Sequence, residues 1–242
     1  MRSLVLFLVL ALPVGAQAQL VPGRHSLIPS VGAAFALADL METTTPIPYA
    51  DKEEVNPVTT NISLDPGVVF GLRYSYDLTR RLAVEVEGSF GISVFVIEML
   101  EHLPEATGEP QFETTTMDAR MWRYGINLAY HIGSWRYFHP FLLGGVGGQV
   151  MDLRQKGSLK TDPIRDATFV FGGGGYFHIN GSLGIRAEIR DYIYNFQFDN
   201  QFAGPESDQI VANRDVGLAV AVSQPQRQHD LAVTVGFQIR VH

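Results

Sequence analysis

Residues 82–94 read Leu82-Ala83-Val84-Glu85-Val86-Glu87-Gly88-Ser89-Phe90-Gly91-Ile92-Ser93-Val94. Side chains of a strand alternate between its two faces, so a period of two sorts this stretch into two stripes. One stripe holds Leu82, Val84, Val86, Phe90, Ile92 and Val94, extended by Val96. The other holds Ala83, Glu85, Glu87, Ser89, Gly91 and Ser93. The segment is a ribbon with a greasy face and a small or polar face.

The same period recurs on either side. Ile62, Leu64, Val68, Phe70, Leu72, Tyr74 and Tyr76 share one parity against Ser63, Asp65, Gly67, Gly71, Arg73 and Ser75. Trp122, Tyr124, Ile126, Leu128, Tyr130 and Ile132 oppose Arg123, Gly125, Asn127, Ala129 and His131. Leu183, Ile185, Ala187 and Ile189 oppose Gly184, Arg186, Glu188 and Arg190. Leu231, Val233, Val235, Phe237, Ile239 and Val241 oppose Ala232, Thr234, Gly236, Gln238 and Arg240. Three weaker strands complete the set: 26–37 around Pro29, and the glycine-rich segments 137–151 and 167–179, whose facing the pattern does not fix.

The connections between these strands alternate short and long. Short ones lie at 77–81, 133–136 and 180–182; long ones at 38–61, 97–116, 152–166 and 199–228. That alternation predicts an all-β, eight-stranded antiparallel up-and-down transmembrane β-barrel with short periplasmic turns and long extracellular loops. An even strand number puts both termini on the periplasmic side, so the alternating residues 215–222 are assigned to the last loop and not to a ninth strand. Aromatic residues are expected as two girdles: Tyr74, Tyr76, Tyr130, Trp135 and Tyr137 near the short turns, and Trp122, Tyr192 and Tyr194 toward the long loops.

The N-terminus supplies an address. Met1-Arg2-Ser3 precedes an apolar run from Leu4 to Leu12, broken by Pro13 and Gly15 and closed by Ala16-Gln17-Ala18. This is the layout of a cleavable signal peptide over 1–18, leaving 19–242 as one barrel domain. The run is too short for a membrane-spanning helix, which needs ~20 residues.

Composition narrows the chemistry. With no cysteine, disulfide scaffolds, thiolate metal sites and cysteine nucleophiles are excluded. The net charge of −7 without a basic tract argues against nucleic acid. No histidine pair has metal-ligand spacing, so no metal or other cofactor is expected. The histidines read as interfacial or solvated. The acidic residues of 39–54 and 98–113 read as solvated loop faces, lacking the ligand spacing of a calcium site.

Charged residues on the polar parity are Arg73, Glu85, Glu87, Arg123, Arg186, Glu188, Arg190 and Arg240. They are spread over several strands instead of converging on a cleft. An eight-stranded barrel is just wide enough to be filled by side chains, and charges inside it must pair. The reading is therefore a lumen charge network with no catalytic residue and no wide diffusion pore.

The stretch Gly181-Ser182-Leu183-Gly184-Ile185-Arg186-Ala187-Glu188-Ile189-Arg190-Asp191-Tyr192-Ile193-Tyr194 resembles the penultimate strand of a myxobacterial-type outer membrane β-barrel domain family. There a turn leads into a strand ending in Arg-Asp-Tyr, and the last strand opens like His229-Asp230-Leu231. More broadly the chain is similar to small Gram-negative outer membrane barrels, the group of the OmpA-type transmembrane domain. The resemblance implies the bacterial outer membrane as location, with no assigned activity. The expected partners are outer membrane lipids and lipopolysaccharide, and the barrel assembly machinery during insertion, for a monomer. The expected role is structural or interactive, with outer loops contacting lipopolysaccharide or external ligands. Two rivals stand beside it. A lipid A-modifying enzyme would place a His, Ser or acidic cluster at the lipid-facing rim. A soluble periplasmic lipocalin-like carrier would turn its apolar face inward.

Overall fold

The computed structural model describes residues 20–48, 55–101, 111–133, 138–154, 163–180, 182–196 and 226–241. The leader read at 1–18, the girdle positions Trp135 and Tyr137, and the segment 215–222 lie outside the described residues. The strands are β1 (His25–Ala36), β2 (Met41–Pro48), β3 (Val55–Leu64), β4 (Gly67–Asp77) and β5 (Leu82–Glu101). They continue as β6 (Gln111–His131), β7 (Phe138–Arg154), β8 (Ile164–His178), β9 (Leu183–Phe196) and β10 (Gln226–Val241). No helix among the described residues is long and apolar enough to cross a membrane.

Eight strands close a ring in the order β1-β4-β5-β6-β7-β8-β9-β10, with β10 returning to β1 and every pairing antiparallel. Closure leaves no open edge in the hydrocarbon zone, which a lipid-embedded sheet requires. The apolar parity faces out: Val86, Ile126, Phe169, Phe171 and Phe237 are each half or more exposed. The polar parity faces in. A lipocalin-like carrier needs the reverse, so that alternative is overturned.

The remaining two strands lie in the connection read as a loop over 38–61. There β2 and β3 form a hairpin, and β3 pairs with the upper half of β5, from Leu64↔Phe95 to Val58↔Glu101. β5 and β6 stay paired from Leu82↔Tyr130 to Glu101↔Gln111. A membrane-crossing strand needs about 9–11 residues, and these run to 20 and 21. The wall therefore rises well past the bilayer on the long-loop side.

Between β3 and β4 the register slips by one residue. Leu64 lies opposite Phe95, and Val68 lies opposite Ile92, so four steps on one strand match three on the other. One extra residue in a strand reverses its facing beyond that point. Ile62 is buried inside the barrel while Val68 and Phe70 face out, although the period-two reading put all three on one face. Asp65-Pro66 carries the break. The Asp65 amide donates to the Val94 carbonyl at 2.9 Å, and the Ser93 hydroxyl donates to the Asp65 carbonyl.

The glycine-rich strands are resolved by close approach. Gly174 sits on the lumen side opposite Glu188. A Cβ there would come within 2.1 Å of the Ala187 carbonyl and 2.8 Å of the Glu188 Cα. Gly174→Ala is expected to force β8 away from β9 and cost roughly 1–3 kcal/mol, read as a lower urea midpoint for unfolding from lipid vesicles.

Candidate functional site

Four strands build the centre of the lumen from inward positions two residues apart: Arg73 on β4, Glu85 and Glu87 on β5, and Arg186, Glu188 and Arg190 on β9. Thr234 of β10 joins them. All seven are buried. Spacing by two stacks like and unlike charges along one face, and the barrel's curvature brings β5 and β9 to within reach across the interior.

Glu188 is the hub. It accepts from Arg186 Nε at 2.7 Å, from Arg190 Nε at 2.9 Å, from the Thr234 hydroxyl at 3.0 Å, and from Arg73 Nη2. Glu85 takes a bidentate contact from Arg186, Nη1 to Oε1 at 2.5 Å and Nη2 to Oε2 at 3.0 Å. Glu87 accepts from Arg73 Nε at 3.2 Å, from Arg190 Nη1 and from the Tyr192 hydroxyl at 3.4 Å. The Arg186 guanidinium also lies over the Phe141 ring at 4.2 Å and donates to the Tyr176 hydroxyl. Buried guanidinium and carboxylate groups are stabilised only when matched this closely, because each alone would forfeit its hydration.

Arg123 belongs to a second cluster one layer toward the long loops. It pairs with Asp230, and its guanidinium covers the Tyr192 ring at 4.4 Å. Tyr194 donates to Asp230 at 3.3 Å. Arg240 stands apart from both. The register places it beside Ser182 at the short-turn end, where its guanidinium meets His178 Nδ1 at 3.0 Å. It is therefore a mouth residue and not a member of the central belt.

Two assignments to the outer girdle are corrected. Tyr192 and Tyr194 are 5% and 2% exposed and point into the lumen. They share the parity of Arg186, Glu188 and Arg190, and their hydroxyls are held by the carboxylates described above. Tyr74, Tyr76, Trp122 and Tyr130 do face outward. His131, read as interfacial or solvated, is also inside, stacked on Tyr176 at 5.5 Å. Asp230 was missed as a network member, although it lies on the inward parity of Ala232, Thr234 and Gln238.

Above the belt the lumen turns apolar. Leu40, Ile62, Phe95, Ile97, Met117, Met121, Met151 and Leu153 pack together inside the wall. The void between Arg73, Glu87, Ser89 and Tyr192 holds about 10 Å³, and that between Gly91, Ser93, Arg123 and Asp230 about 20 Å³. A single water needs ~10–15 Å³ on this measure. No group of three or more metal-ligating side chains is present among the described residues.

Comparison with known proteins gives the family. The model of the outer membrane protein beta-barrel domain matches residues 4–238. No curated protein sequence matches the chain. Among solved structures, the outer membrane protein OprG from Pseudomonas aeruginosa is similar at 15% identity and TM-score 0.49, covering 91% of this chain and 98% of that one. Neisserial surface protein A is similar at 9% identity and TM-score 0.47, with coverage of 90% and 96%. Ail, the attachment invasion locus protein of Yersinia pestis, is similar at 14% identity and TM-score 0.40, covering 91% and 99%. With the apolar wall turned outward, the ring closed and the family model spanning nearly the whole sequence, this chain belongs to the outer membrane protein β-barrel domain family and resides in the bacterial outer membrane.

Proposed function

We propose that this barrel is a sealed, non-catalytic platform whose raised outer wall contacts lipopolysaccharide or external ligands. One observation carries the reading. Arg73, Arg123, Arg186 and Arg190 are matched in the lumen by Glu85, Glu87, Glu188 and Asp230, beneath an apolar plug. A pore would keep its polar groups hydrated; here the guanidinium and carboxylate groups solvate each other. The extended β5–β6 wall and the β2–β3 hairpin supply surface beyond the bilayer, which a barrier protein alone does not need.

The protein reconstituted in a planar bilayer at neutral pH should show no steady open-channel current. A sustained ohmic conductance of nanosiemens size would sink the sealed reading. Intact lipopolysaccharide should co-purify with the folded barrel through a detergent wash, and its complete absence would remove the contact reading.

A further inference from the structure

The lipid-facing wall is apolar almost throughout, yet at the outer rim of β8–β10 it carries a paired histidine and aspartate. His229 Nδ1 and Asp191 Oδ2 are 2.8 Å apart, with side chains 41% and 27% exposed. These are the outward-facing polar residues of the Arg-Asp-Tyr and His-Asp-Leu segments that the sequence singled out; their neighbours Arg190 and Asp230 belong to the lumen. The register sets His229 beside Ile193, Asp191 between Leu231 and Phe171, and Arg227 beside Asn195 one row further out. Arg165 on β8 lies at the same border, beyond Phe169 and Ala167. Arg165, Asn195 and Arg227 are exposed.

Basic side chains without a carboxylate partner cluster, among the described residues, on one side of the rim. Among the described residues, Arg165 and Arg227 have no carboxylate partner, whereas Arg154 on β7 is already paired with Asp152 at 2.7 Å. Across the ring, toward β4 and β5, the rim carries Asp65 and Glu98; Asp39 lies beside β10, where its carbonyl accepts from Gln228 Nε2 at 3.3 Å and its carboxylate accepts from Asn61 Nδ2 at 3.3 Å. A row of phenylalanine and isoleucine capped by unneutralised guanidinium groups matches a ligand with acyl chains below and phosphate above. Strands are about 4.8 Å apart, so β8 and β10 flank β9 at a lateral span of roughly 10 Å, with Arg165 beyond the row of Ala167, Asn195 and Arg227. Phosphomonoesters carry about −1.5 to −2 charges at neutral pH, enough to match two arginines. A phosphodiester phospholipid carries one.

We infer that this rim, formed by Arg165, Asn195 and Arg227 above the Asp191–His229 pair, is a binding site for a phosphorylated glycolipid headgroup of the outer leaflet. The inference rests on the proposed lipopolysaccharide contact and locates it on the wall. In its imidazolium form His229 donates Nδ1–H to Asp191 and has Nε2–H to donate to a phosphate oxygen. The arginines supply charge-assisted hydrogen bonds.

The test uses the full barrel folded in detergent micelles, with folding of every variant checked by heat-modifiable gel mobility. Affinity is measured for diphosphoryl lipid A, dephosphorylated lipid A, phosphatidylglycerol and intact lipopolysaccharide. Diphosphoryl lipid A should bind at least tenfold more tightly than the dephosphorylated form or phosphatidylglycerol. The double variant Arg165→Gln/Arg227→Gln should lose about tenfold, His229→Gln about threefold, and Arg154→Gln less than twofold. Equal affinity for the phosphorylated and dephosphorylated lipids, or for phosphatidylglycerol, overturns the assigned ligand. Unchanged binding in the double variant overturns the site, and if intact lipopolysaccharide still binds, the platform reading survives. Failure of the unmodified protein to bind either phosphorylated lipid removes both.

Discussion

Glu188→Ala is expected to destabilise the folded barrel by about 3–5 kcal/mol, the usual consequence of removing one partner from a buried ionic cluster. Glu188 receives Arg73, Arg186 and Arg190 together. Without it, three buried guanidinium groups share Glu85 and Glu87, leaving an uncompensated positive charge away from water. Urea unfolding from lipid vesicles, followed by tryptophan fluorescence, reads the change as a lower midpoint at similar slope. Glu188→Ala combined with Arg73→Met restores the charge balance and should recover part of the loss. If the double variant is less stable than the single one, packing and not charge matching governs the belt.

Ile126→Arg should cost about 2–4 kcal/mol, the penalty for arginine on the lipid face near the midplane. Ile126 is 57% exposed and lies on β6 midway between Trp122 and Tyr130, both outward-facing. For a residue so exposed in water, the same change would be within about 0.5 kcal/mol of neutral. The two environments therefore predict clearly different magnitudes. Equal midpoints for Ile126→Arg and the parent in vesicles would mean that this face does not meet hydrocarbon.

Much of the architecture was legible because strand facing has a period of two and lipid inverts the usual sorting. The inward positions of Glu85, Glu87, Arg123, Arg186, Glu188 and Arg190 follow from parity alone. Parity also contained the answer for Tyr192, Tyr194 and Asp230. The aromatic pair was drawn to the girdle by a compositional preference that a hydroxyl-seeking carboxylate overrode. The β2–β3 hairpin gave little warning. Its segments carry Pro46, Pro48 and Pro57 among threonines and lack a clean apolar stripe, and they form strands by continuing the edge that β5 already offers.

Hydropathy and turn spacing by themselves determined that the chain crosses the outer membrane as a closed ring of strands, because every backbone group in hydrocarbon must be paired and only one parity is apolar. Only the tertiary structure decided which charges meet. Glu85 and Arg186 are 101 residues apart in sequence and joined by closure of the barrel, which no local period encodes. Inter-strand register also fixed the one-residue slip at Asp65-Pro66 that turns Ile62 inward, the place of Arg240 at the mouth, and the meeting of Asp191 with His229. Each depends on the register between strands, a relation between distant segments and not a property of either one.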